Sequence, residues 1–95
     1  MAKAYIIARV NVNDAEAYGR YAALASVAMQ KYGARVLARG GRFEALEGEA
    51  RTRNIILEFE NYDAAKAYFQ SPEYQEARSN RLNAADFDST LVEGL

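Results

Sequence analysis

Residues 3–12 alternate strictly between two faces, with Ala4, Ile6, Ala8 and Val10 on one and Tyr5, Ile7, Arg9 and Asn11 on the other. A period of two is the side-chain geometry of a β-strand. Residues 53–60 repeat it: Ile55, Leu57 and Phe59 take one side, Asn54, Ile56, Glu58 and Glu60 the other. Each strand therefore carries one wholly apolar face that needs a cover, and the segments between them have helical character. Asn13 with Glu16 three residues on forms a capping-box pattern. Tyr18, Tyr21, Ala22, Ala25, Met29 and Tyr32 then recur at helical spacing up to Gly33, which predicts a helix over 14–32. Asn61 opens a second helical run through Gln70, and Ser71-Pro72 restarts it with a cap and a proline at the first helical position. Residues 34–39 before Gly40-Gly41, and residues 87–93, read as further strands. Residues 43–47 alternate briefly as well and predict a short extended run before the turn-like 48–51.

The order β-α-β-β-α-β predicts a single α+β domain over 1–95 with a ferredoxin-like fold, an antiparallel four-stranded sheet with its helices on one face. The other face stays open. On that face Tyr5, Ile7 and Ile56 mix with Arg9, Asn11, Asn54 and Glu58. Burying an aliphatic side chain is worth about 1.5–3 kcal/mol, so the face is expected to close on a second copy in a two-fold homodimer. Antiparallel neighbours are expected to set Arg9 opposite Glu58 as an ion pair.

Absent residue types narrow the chemistry. With no Cys and no His among 95 residues, disulfides, thiolate nucleophiles, imidazole bases and His- or Cys-ligated metals are excluded. Asp86, Asp88 and Glu93 are too few oxygen ligands for a calcium loop, so no metal is expected. Arg35, Arg39 and Arg42 are followed at once by Glu44, Glu47 and Glu49, and the net charge is −1, so nucleic acid is not an expected partner. The first apolar stretch is interrupted by Arg9, too short for a secretory signal or a bilayer span. A cytoplasmic protein without membrane contact is the expectation.

The stretch YIIARVNVNDAEAYGRYA, then YGARVLARGG, LEGE, the run Ile55 to Glu58, SPEYQEAR and a closing VEG resemble domain-of-unknown-function family 1330 along nearly the whole chain. Ser71-Pro72-Glu73-Tyr74 and Arg39-Gly40-Gly41 are the most specific pieces, while Glu60-Asn61 and Tyr68-Phe69 depart from the family's pattern. The resemblance implies a ferredoxin-like subunit that pairs through its sheet into a dimeric α/β barrel. That wider group includes cofactor-free monooxygenases, isomerases, haem enzymes and proteins with no known reaction. The family supplies no catalytic residues to carry over.

The residues themselves offer one constellation. Arg9 and Arg39 are suited to hold a carboxylate or enolate, and Glu58, if desolvated, to act as a general base. Tyr5 and Tyr74 are expected to border the same pocket, which would take a small acidic or aromatic metabolite inside the barrel and transform it, if at all, without a cofactor. The competing expectation is a non-catalytic homodimeric binding or assembly module in which the open-face charges serve only the interface. A cavity of about 300 Å³ or more favours the ligand.

Overall fold

The structure is a computed structural model, and it describes residues 2–95. Strands β1 (Ala4–Val12), β2 (Arg35–Arg39), β3 (Arg53–Phe59) and β4 (Ala85–Glu93) form an antiparallel sheet in the order β2-β3-β1-β4. Helices α1 (Ala15–Lys31), α2 (Tyr62–Gln70) and α3 (Pro72–Arg81) complete a β-α-β-β-α-α-β order. This is the ferredoxin-like architecture expected from the alternation and the helical runs.

The apolar sides of β1 and β3 lie under the helices. Ala4, Ile6, Ala8 and Val10 are buried with Ile55, Leu57 and Phe59, against Tyr18, Tyr21, Tyr68 and Tyr74 from the helix layer. Small residues on the sheet floor and aromatic ones in the roof divide the volume between the layers, as close packing requires.

Local chemistry fixes the helix ends, with one shift from expectation. Asp14, not Asn13, caps α1: its carboxylate accepts from the backbone N–H groups of Glu16 and Ala17, each at 3.1 Å. The backbone N–H groups of Asn13 and Asp14 both donate to the carbonyl of Ala84, which ties the helix entry to the start of β4. That tie turns Asn13 outside the first turn. Gly33, at φ +76, supplies the left-handed residue that stops α1. Ser71 serves two helices. Its hydroxyl donates to the carbonyl of Tyr68 at 2.7 Å and accepts from the N–H of Tyr74 at 3.1 Å, closing α2 and capping α3.

Residues 43–47 do not form the expected strand; they belong to an irregular loop over 40–52. The sheet gives them no partner, because Gly40 at φ +65 turns the chain away after its N–H donates to Asn54. Phe43 and Leu46 are 47% and 88% exposed, so the alternation had nothing to bury against. The loop's far end folds back on β1, where Thr52 N–H donates to the side-chain oxygen of Asn11 at 3.0 Å. The last strand begins at Ala85, two residues earlier than expected.

Ser71→Ala removes the shared cap from a site only 4% exposed. It should cost about 1–2 kcal/mol in urea unfolding with little change in the denaturant slope.

Candidate functional site

Residues that face each other across an antiparallel pair share a face of the sheet, so the register lays out both surfaces. On the open face the rows run Arg35, Glu58, Tyr5, Val92; then Ala38, Ile56, Ile7, Thr90; then Asn54, Arg9, Asp88. Arg9 and Glu58 are therefore not opposite one another, contrary to expectation. Arg9 lies between Asn54 and Asp88, and its guanidinium donates to the carbonyl of Glu49 at 3.3 Å. Glu58 lies beside Tyr5, with the ammonium of Lys3 and the guanidinium of Arg35 each at 3.9 Å. Asp88 is paired with Arg51 at 2.9 Å. Charge thus sits at the two ends of the face, around a middle of Ile7, Ile56, Ala38 and Thr90.

The other two expected site residues lie on the opposite side of the sheet. A bulge between Val36 and Ala38 puts an extra residue into β2, so Arg39 faces Ile55 instead of continuing the parity of Arg35. Simple alternation would have kept Arg39 with Glu58; the bulge carries it to the helix-covered face. Tyr74 lies in the core, 3% exposed, because α3 starts at Pro72 and turns it inward. Tyr5, Arg9 and Glu58 stay together on the open face, and Arg39 and Tyr74 meet across a cleft between sheet and helices.

That cleft has an inner and an outer part. The inner part, about 40 Å³, is floored by Ile6, Ala8, Ile55 and Leu57 and roofed by aromatic rings of all three helices. The outer part, about 310 Å³, lies between α2 and the β1–β4 flank, with Tyr62, Lys66 and Gln70 on its helix side. The two share Ile6, Phe69 and Ser89 as walls. An aromatic ring needs roughly 150 Å³, which the outer part offers and the inner part does not.

Two guanidiniums border the inner part on its β2–β3 flank, those of Arg39 and Arg53. Neither takes part in an ion pair among the described residues. Arg53 leans over the Tyr18 ring at 5.6 Å, and its buried Nε has no acceptor among the described residues. It fits there because residue 40 is glycine: a Cβ on Gly40 would stand 2.4 Å from Arg53 Nη1. Arg53 was missed in the sequence although the signal was present, since it shares the parity of Ile55, Leu57 and Phe59 and so is an arginine on an apolar face.

On the opposite flank, Tyr21 and Tyr74 bring their hydroxyl oxygens to 2.9 Å, and Arg81 Nη2 stands 3.5 Å from that of Tyr74. Burial, and next the neighbouring Tyr74, push the Tyr21 hydroxyl well above the ordinary tyrosine range; burial does the same for Tyr68. These hydroxyls are neutral donors. Neither part of the cleft is lined by a carboxylate.

A raised tyrosine pKa favours the folded state while the proton is held. The contribution of Tyr21 and Tyr68 to stability should be constant below about pH 10, where unfolded tyrosines begin to ionise, and should be lost above it. In an alkaline titration, the tyrosinate absorbance of Tyr21 and Tyr68 should appear together with loss of the far-UV helical signal.

Residues 3–95 match the family model described as "Domain of unknown function (DUF1330)". No functionally curated protein matches the sequence. Among solved structures, a protein of unknown function from Rhodopseudomonas palustris is similar with a TM-score of 0.76 at 24% identity, over 97% of this chain and 80% of that one. A dimeric ferredoxin-like protein of unknown function from Jannaschia sp. CCS1 aligns with a TM-score of 0.73 at 12% identity, over 95% of this chain and 97% of that one. SnoaB, a cofactor-independent oxygenase from Streptomyces nogalater, aligns with a TM-score of 0.59 at 9% identity, over 97% of this chain and 92% of that one. Among the described residues, no helix is long and apolar enough to cross a membrane.

Proposed function

The chain belongs to the DUF1330 family, and we propose that it is a homodimer paired through its open sheet faces, each protomer binding a small aromatic acid in the cleft between sheet and helices. The observation that carries the ligand half is the pair Arg39 and Arg53, two guanidiniums without acid partners among the described residues beside an aromatic-lined apolar space. A buried guanidinium nitrogen without an acceptor is costly, and a carboxylate supplies the acceptor through charge-assisted hydrogen bonds.

The dimer half rests on the open face. Ile7 and Val92 are 40% and 44% exposed at its middle and edge, beside half-buried Tyr5 and Ile56. The charges there that would be enclosed are matched within one protomer already, Glu58 by Lys3 and Arg35 and Asp88 by Arg51. Arg9, on the same face, has no ion pair among the described residues and is met by the carbonyl of Glu49 instead. The dimeric state of the protein from Jannaschia sp. supports self-association.

This divides the residues anticipated from the sequence. Tyr5, Arg9 and Glu58 belong to the interface and its rim, while Arg39 and Tyr74 belong to the ligand. Glu58 is then no general base for a molecule in the cleft, since it points from the far side of the sheet. Lined by hydrogen-bond donors and by no carboxylate, the cleft supports anion binding rather than proton abstraction. The oxygenase from Streptomyces nogalater shares the scaffold at 9% identity, which does not carry its reaction over.

Two measurements test these halves separately. Sedimentation equilibrium should give twice the 10.6 kDa chain mass, and Ile7→Glu, which sets a charge against Ile56, should give the monomer mass. A monomeric wild type defeats the pairing. In calorimetric titration with benzoate, Arg53→Gln should weaken binding about 10-fold or more, the scale of a charge-assisted hydrogen bond. Glu58→Gln should leave it within two-fold, and the reverse pattern would move the ligand to the open face.

A further inference from the structure

The loop over 40–52 carries apolar side chains that its own protomer does not use. All of residues 40–50 are exposed, and Phe43 and Leu46 join neither the core nor the half-buried residues packed against it. At 88%, Leu46 is exceeded among the described large apolar residues only by the terminal Leu95. Scattered exposed apolar residues are ordinary on a protein surface. What sets this loop apart is where it is fastened.

Its far end is tied to the open face of the sheet. Arg9 and Asp88 face each other there. The carbonyl of Glu49 accepts from the guanidinium of Arg9 at 3.3 Å, and the guanidinium of Arg51 pairs with Asp88 at 2.9 Å. Thr52 N–H donates to Asn11, which stands on the same face. The near end starts at Gly40 beside Arg53, whose side chain lies toward the helices. The chain therefore wraps around the end of the sheet and comes to rest on its open side.

This placement decides what the exposed residues can meet. Leu46 stands three residues from Glu49, a reach of up to about 10 Å. Two sheets packed face to face lie about 10 Å apart. A second copy stacked on the open face thus comes within reach of the loop, and two-fold symmetry makes the contact reciprocal. Arg42, Glu44 and Glu47, interleaved with Phe43 and Leu46, take part in no ion pair among the described residues. Apolar anchors set among charged neighbours are the make-up of a contact with a buried centre and a wet rim.

We propose that residues 41–48 form an arm that leaves its own protomer and lies against a second copy of this chain, burying Leu46 and Phe43 there. This rests on the pairing through open sheet faces proposed above, and adds to it a contact outside the sheet.

The chain has no cysteine, so Leu46→Cys gives a single attachment point for a maleimide-linked benzophenone. On irradiation of the dilute labelled protein, a covalent species of twice the chain mass should form. The same label on Val27→Cys, exposed on α1 at the helix side, should not give it. In sedimentation equilibrium, Leu46→Asp should weaken self-association about 10-fold or more, the scale of burying one leucine, with the far-UV signal unchanged. A wild-type dimer whose Leu46→Asp variant associates equally well overturns the arm and leaves the sheet pairing standing. Equal cross-linking from positions 27 and 46, or none from 46, overturns it as well. A monomeric wild type defeats the pairing and the arm with it. The cross-link decides the matter even if Leu46→Asp fails to fold.

Discussion

Every assignment of a residue to a face depends on the pairing of β1. This strand is bonded on both sides, to β3 from Ala4 to Val10 and to β4 from Ala4 to Val12, with no break in either register. A one-residue slip would exchange its faces and drive Tyr5, Arg9 and Asn11 under the helices. The burial of Ala4, Ile6, Ala8 and Val10 resists such a slip, and through the pairing it fixes the parity of both neighbours. Of the two edge strands, each held on one side only, β2 is the one that carries a bulge.

The cleft follows from how the core divides its volume. On the central strand, two of the four residues facing the helices are alanines, and α1 adds Ala25 and Ala28. Bulk comes from aromatic rings that meet at tilted or edge-on angles, Tyr18 with Tyr21, Tyr68 with Tyr74, and Phe59 with Tyr68. Rigid rings over a floor of methyl groups do not tile a plane, and a gap remains between them. Aliphatic residues of the same volume would adapt and fill it.

How much was legible depended on whether neighbours could override the local pattern. The strict alternation of β1 and β3, the helical stripe of α1, and Ser71 followed by Pro72 carried the architecture, because burial and capping reinforce each local preference there. Arg39 was misplaced since a bulge in an edge strand has no sequence signature as strong as its structural effect, which is to reverse parity. Tyr74 was read as a pocket border on the strength of the turn before it, and its helical phase in α3 sets it on the helix side of the sheet, away from Tyr5, Arg9 and Glu58. Asp14 displaced Asn13 through the bonds to Ala84, a contact seventy residues away along the chain. Arg53 and Arg81 were legible in principle as charges on buried phases, yet an arginine reads as surface until its partners are known to be missing.

That missing partnership connects the composition to the site. The chain is nearly neutral, with 13 acidic and 12 basic residues, but the two signs are not mixed evenly over the fold. Among the described residues the ion pairs lie on the open face and along or between helices, as for Glu58 with Lys3 and Arg35 and for Glu73 with Lys31. Arg39 and Arg53 border one apolar space with tyrosine hydroxyls and no carboxylate, and Arg81 stands behind Tyr74 without an ion pair among the described residues. The buried Nε atoms of Arg53 and Arg81, without acceptors among the described residues, are expensive for the fold alone, since apolar residues of equal size would pack without an unmet hydrogen bond. A molecule bringing the negative charge and the acceptor oxygens would meet both deficits, which makes the cleft's own chemistry the strongest argument for an occupant.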